Sequence, residues 1–218
     1  MPTKNNESSI DEKIAKLPRD YLSLYSLYST AEESYLDYYT FLLKAAESTD
    51  EHERTNLIIK RFHHRDITVV FSHLFLEAII YDYGAINTSD SYMKKYVDKL
   101  EFLSKWVVIP KIVTGKQFPT DSQAFELLGK LKKTRNDIVH FKTRKISYNK
   151  TTTDIKSKFI DEFDIVNCFD CMSEALKELS NLDIKNWPLF EWGFIQQLIS
   201  KKYRDIREVS FERLREIC

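Results

Sequence analysis

Arg135-Asn136-Asp137-Ile138-Val139-His140, the run RNDIVH, decides how the rest of the chain is read. It stands in the most basic segment of the protein. From Lys130 to Lys145 seven Lys or Arg face one acid, Asp137, for a local charge of +6. The chain's 33 basic and 33 acidic residues cancel, so everything outside this segment carries −6. A positive field around one histidine suits a phosphate-rich substrate. The plainer alternative is two solvated basic faces, KLKKTR and KTRK, flanking a buried Ile138-Val139 pair. On a helix, Asn136 and His140 are four apart and share a face, while Asp137 lies three before His140. Arg135 is five before His140, about 140° around the helix from it. The two complete one site only if the helix begins near Arg135 or if a second chain closes the gap.

Arg, then Asn, Asp or His, then three variable residues and His resembles the signature of HEPN-domain ribonucleases. RNDIVH fits every specified position. A softer likeness lies upstream, where Lys105-Trp106 and Pro110 are followed by Gly115-Lys116 and a helix ending in Arg-Asn. The resemblance covers about residues 20–180. It implies an all-α, HEPN-like helical bundle of long antiparallel helices, paired as a homodimer with the two motifs facing each other. It also implies a metal-independent endoribonuclease of the toxin or defence-effector kind, which cuts RNA through attack by the ribose 2′-hydroxyl. On that reading Arg135 and His140 are catalytic, and Asn136 positions the phosphate or the imidazole. Lys132, Lys133, Lys142, Arg144 and Lys145 hold the RNA backbone. Asp137 and Glu77 form a second tier, Glu77 because a carboxylate there can reach Arg135 in a compact bundle. No cofactor and no metal are implied. The partners are RNA, a second copy, and an antitoxin or defence protein. One departure concerns Lys142, which stands where a toxin subgroup carries a Tyr targeted by a nucleotidyltransferase.

Composition agrees with a helical, cytoplasmic protein. Four Gly and five Pro in 218 residues leave few places for tight turns, which disfavours an all-β fold. Three cysteines argue against a disulfide scaffold and for a reducing compartment. No charged leader with an apolar stretch opens the chain, and no apolar run is expected to reach membrane-spanning length.

In chain order, residues 1–9 are expected to fray and 10–185 to form the bundle, with 186–218 a C-terminal extension packed on it. Ile10–Leu17 suits a short helix. The first long helix spans about 20–47, with Tyr25, Tyr28, Tyr35 and Tyr39 on an apolar stripe. A second runs from Glu51 to Tyr83, capped by Asp50 and stopped by Gly84. A third carries Tyr92, Tyr96, Leu100, Leu103 and Val107 until Pro110 breaks or restarts it. Thr120 and Gln123 read as a capping box before a fourth helix. After a polar link at 147–154, a fifth covers about 159–181, with Ile165, Phe169, Met172, Leu176 and Leu179 inward. Cys168 and Cys171 read as small buried residues rather than zinc ligands. Trp187 and Trp192 dock the last helices.

The second helix also carries a second line, His63, Asp66, Val70, His73, Glu77 and Ile80, at steps of three or four. The plain reading is a solvent- or dimer-facing stripe with Glu77 paired to a base; the sharper one is a metal site. The rival to an enzyme is a non-catalytic HEPN-like module that binds nucleotides or a protein.

Overall fold

The computed structural model describes residues 21–140, 165–183, 203–213 and 215. All regular structure among them is helical. The chain is all-α, as its composition suggests. The expectations for residues 1–17, the link at 147–154, the start of the fifth helix and the Trp187–Trp192 docking lie outside the described residues.

Helix α1 (Tyr21–Glu47) and helix α2 (Glu51–Asn87) form an antiparallel hairpin. At 1.5 Å per residue they run about 40 and 55 Å. The turn between them is pinned by side chains. Asp50 accepts from the His52 and Glu53 amides, Ser48 donates to the Glu53 carboxylate, and Arg54 donates to the Ser48 carbonyl. Tyr28, Tyr35, Tyr38 and Tyr39 are buried, so the Tyr stripe of α1 is core; Tyr25 alone among these stands out at 51% exposed. On α2 the fully buried positions begin only at Thr68.

Gly84 does not stop α2. The helix continues to Asn87, and the Thr88 amide bonds back to the Gly84 carbonyl. Its glycine serves packing instead. A Cβ there would lie 2.6 Å from Met93 Cε and 2.9 Å from Ile109 Cγ2. The missing side chain lets two further segments close on α2. The first is a short helix, Asp90–Tyr92, running into a π-helical turn, Met93–Val97. This turn buries Met93 and Val97 and leaves Tyr92 and Tyr96 exposed, the reverse of the expected face. The register is reset because Asp98 bonds to Met93 five residues back.

The second segment is helix α3 (Phe102–Thr114). Pro110 lies inside it rather than ending it. A missing helical bond costs about 3 kcal/mol, and burial of Trp106, Ile109 and Pro110 offsets that. Gly115, with φ of 75°, is the true left-handed stop. Ser122, not Thr120, caps helix α4 (Gln123–Val139), its Oγ accepting from the Phe125 amide. Helix α5 (Asn167–Leu182) presents Phe169, Met172, Leu176 and Leu179 to the core, with Cys168 and Cys171 as buried free thiols. Burial pushes the Cys171 thiol well above its ordinary pKa.

Residues 203–213 form helix α6, which is joined to α1 and α5 through Tyr203. The ring lies 4.1 Å from Phe169 and 5.0 Å from Tyr35. Its hydroxyl meets Tyr28 and donates to Glu32, and Tyr35 donates to the Tyr203 carbonyl. Burial raises the pKa of both linked hydroxyls, so they remain protonated donors.

One expectation about hydropathy fails. Helix α2 contains an 18-residue window with mean hydropathy 1.4, apolar and long enough to cross a membrane by composition alone. Within the fold 72% of that window is buried, so its apolar character is that of a core helix.

Gly84→Ala and Gly129→Ala should therefore move stability in opposite directions. At Gly84 the added methyl overpacks against Met93 and Ile109, a cost of about 1–3 kcal/mol that exceeds the roughly 1 kcal/mol Ala gains in a helix. Gly129 has no atom within 4 Å of an added Cβ. There the helical preference acts alone and should stabilise by about 0.8–1 kcal/mol. Urea unfolding of the two variants reads both signs.

Candidate functional site

Helix α4 carries the motif in its last turn. It ends where His140 leaves helical geometry, at φ −101° and ψ 79°, with the His140 amide still bonded to the Asn136 carbonyl. Asn136 and His140 therefore do not stack as i and i+4 on one continuing face. The helix ends at the motif instead of beginning there. Arg135 is half-buried, and its Nη1 donates to Asn136 Oδ1 at 3.1 Å. Its Nε is buried with no hydrogen-bond acceptor among the described residues. Val139 and His140 are exposed, while Ile138 packs on the core. The imagined buried Ile-Val pair is thus half right, and Val139 is 46% exposed.

Beneath this turn lies a cluster centred on α2 and α3. Lys105 is 4% exposed, and its Nζ donates to Glu77 Oε1 at 2.9 Å. Glu77 does pair with a base, but its stripe is not solvent-facing: His73 and Ile80 are buried, and only His63 at the outer end is exposed. The His73 ring packs 4.1 Å from Phe102. Neither of its nitrogens has a hydrogen-bond partner among the described residues; Nδ1 lies 3.9 Å from Glu77 Oε2, too far for one. Burial drives the His73 pKa down to about 4, against the pull of Glu77 and with help from Arg135, Lys105 and Lys132. These charges therefore share one electrostatic neighbourhood with a neutral imidazole inside it. Glu77 is spent on Lys105 rather than on Arg135.

The basic run is less open than its sequence suggests. Lys130 pairs with Glu126 at 2.6 Å, and Lys132 pairs with Glu101. Lys133 and Asp137 are exposed. Lys142, Arg144 and Lys145 lie outside the described residues. No protein-family model, no curated protein and no solved structure matches this chain. Among the described residues no three His, Cys, Asp or Glu side chains gather where they could hold a metal, and His63 and His73 do not converge.

Two features escaped the sequence reading. In sequence Lys105 stands out only as part of a run, yet a Lys at the inward register of an apolar helix, beside Phe102 and Trp106, is the signal for a buried pair. On the outer part of the hairpin, Arg61 lies over the Tyr38 ring, and Phe41 stacks on His64 with Lys60 nearby. Cation and ring spacings across two helices are not visible in one-dimensional sequence.

His73 sets a pH dependence whose sign is fixed. Its folded pKa is below the unfolded value of 6.5, so the unfolded chain binds the extra proton first. The folded state is undisturbed above pH 6.5 and loses stability as pH falls towards 4, by about 3 kcal/mol in all. His73→Leu should remove that loss and, by deleting two unpartnered nitrogens from the core, stabilise the protein at pH 7 by about 1 kcal/mol. Urea midpoints at pH 7 and pH 4.5 for both proteins test it.

Proposed function

We propose that the chain is a HEPN-like, metal-independent endoribonuclease acting as a homodimer, in the manner of a toxin or defence effector. One observation carries the reading: a sheltered guanidinium and a solvent-exposed imidazole leave the same final turn of α4. The chemistry needs those two groups. An imidazole, ordinarily titrating near neutrality, removes the proton from a ribose 2′-hydroxyl. The freed oxygen attacks the adjacent phosphorus, the P–O5′ bond breaks, and a 2′,3′-cyclic phosphate remains. The leaving oxygen takes its proton from a second, protonated imidazole. A fixed guanidinium stabilises the charge that builds on the phosphoryl oxygens.

In this scheme His140 is the base and Arg135 the cation. Asn136 holds the guanidinium through its side-chain carbonyl. A second copy facing the first supplies the acid, and closes the angular gap that one helix end leaves open. Lys133 and the basic residues after the motif hold the backbone without reading sequence. The rival reading is a non-catalytic module that binds nucleotides or a protein. The pairing of Lys130 and Lys132 with in-chain acids favours it, since it weakens the local field. Exposed ion pairs are worth little, about 0–1 kcal/mol, so an arriving phosphate exchanges them cheaply.

Labelled single-stranded RNA in chelator decides between the two. His140→Ala should slow single-turnover cleavage by about 10²–10⁴-fold with little change in affinity. Arg135→Ala should lose about 10²–10³-fold and also bind more weakly, because its charge acts before and during reaction. Both should melt close to the parent protein, since neither side chain is core. Equal inactivity of parent and variants in the presence of RNA binding would hand the site to the binding-module reading.

A further inference from the structure

Beside the Lys105–Glu77 pair a cleft of about 250 Å³ opens between α1, α2, α3 and the π-helical turn. Leu27, Leu74 and Tyr81 give it apolar walls, and Glu77, Asp98 and Lys105 give it a polar edge. This is smaller than the roughly 300–1,000 Å³ of sites for drug-sized ligands, a fit for one flat ring system and not for two. The polar edge has a definite order. Lys105 Nζ is buried and still bears donor hydrogens beyond the one given to Glu77. Glu77 spends Oε1 on Lys105, and its Oε2 makes no hydrogen bond to His73 at 3.9 Å. Asp98 is exposed at the rim and owes its place to the π turn, whose five-residue bond from the Asp98 amide to Met93 sets its register. Such turns recur at functional sites.

Carboxylates accept and an ammonium donates. The Watson–Crick edge of guanine offers the complement, two adjacent donors at N1 and N2 and one acceptor at O6. Adenine and cytosine each offer one amino donor beside an acceptor, and uracil one imino donor between two acceptors. Single-stranded RNA is read on these edges with the base splayed into a pocket. The cleft also adjoins the motif helix, because Lys132 of α4 pairs with Glu101, the residue that opens α3 four positions before Lys105.

We propose that this cleft is a guanine-binding subsite that selects where RNA is held against Arg135 and His140. Glu77 and Asp98 accept from the base and Lys105 donates to its carbonyl. The role in cleavage rests on the nuclease reading above; the binding of the base does not.

The test uses the full chain carrying His140→Ala, titrated with GMP, AMP, CMP and UMP, which share a phosphate and differ in the base. GMP should bind about tenfold more tightly than the others, the discrimination expected of one well-made bidentate base contact. Asp98→Asn, at an exposed position, should keep the fold by melting curve and lose that preference; Asp98→Glu should retain most of it. Glu77→Gln should lose it too, but strands a buried ammonium, so Asp98 is the cleaner variant. In the His140 parent, cleavage of an unstructured RNA should fall next to G. Four nucleotides bound alike, or none bound at millimolar concentration, overturns the subsite. GMP preferred while no RNA is cut keeps the subsite and removes the nuclease. Cleavage without base preference, with GMP unfavoured, does the reverse.

Discussion

An ammonium held at 4% exposure must find a carboxylate, and Lys105 finds Glu77 across the α2–α3 interface. Losing one member of such a pair costs about 3–5 kcal/mol, because the other is left as an uncompensated charge. This fixes the register of α3 on α2. It is reinforced three residues to one side of Trp106 by Ile109, which seats against the bare Gly84 backbone. With α3 so placed, Phe102 covers His73, and the edge of the cluster comes within the field of Arg135 on α4. The interior polar groups are thus set by one contact, and the motif helix meets the start of α3 through the Lys132–Glu101 pair.

The two histidines on either side of Arg135 show why burial decides chemistry. His73 is enclosed, and the cost of desolvating its cation keeps it neutral well into acid. A base with so low a pKa is weak, and no substrate reaches a ring 3% exposed. His140 stands in water at a helix end, where an imidazole meets solvent and any ligand that docks there. The same residue type serves one place as a ring packed against Phe102 and the other as a solvent-exposed imidazole. A buried polar group with unmet nitrogens is a standing cost to the fold, of the kind that cores seldom keep without a use.

The sequence carried the helical class, the α1–α2 hairpin and the inward face of α5, because those rest on periodicity over many turns. It misread the punctuation. Gly84 looked like a stop, but a glycine can serve close approach as well as a left-handed turn, and only the neighbouring Met93 and Ile109 distinguish the two. Pro110 looked like a break, but the buried face it shares with Trp106 and Ile109 outweighs one missing bond. The third helix was read on the wrong face because a π turn adds a residue to the register, and no composition rule announces it. At the motif, the six letters leave the relation of Arg135 to His140 open. Whether a helix starts or stops at a motif turns on a backbone angle at His140 that six letters do not contain.

The helix end also constrains what the motif can do. The last carbonyls of α4 carry partial negative charge at its C-terminus. An anion does not dock there on backbone dipoles, as it would at an N-terminus. Any phosphate brought to His140 must therefore be held by side-chain cations. Lys130 and Lys132 are engaged by Glu126 and Glu101, while Lys133 is exposed and Arg135 half-buried in the same stretch. Arg135 is the one whose orientation is fixed, through Asn136. Its guanidinium still has donors beyond the one given to Asn136. A partner copy carrying its own α4 end to this one would bring a second guanidinium and a second imidazole to the turn, which is the arrangement the proposed dimer calls for.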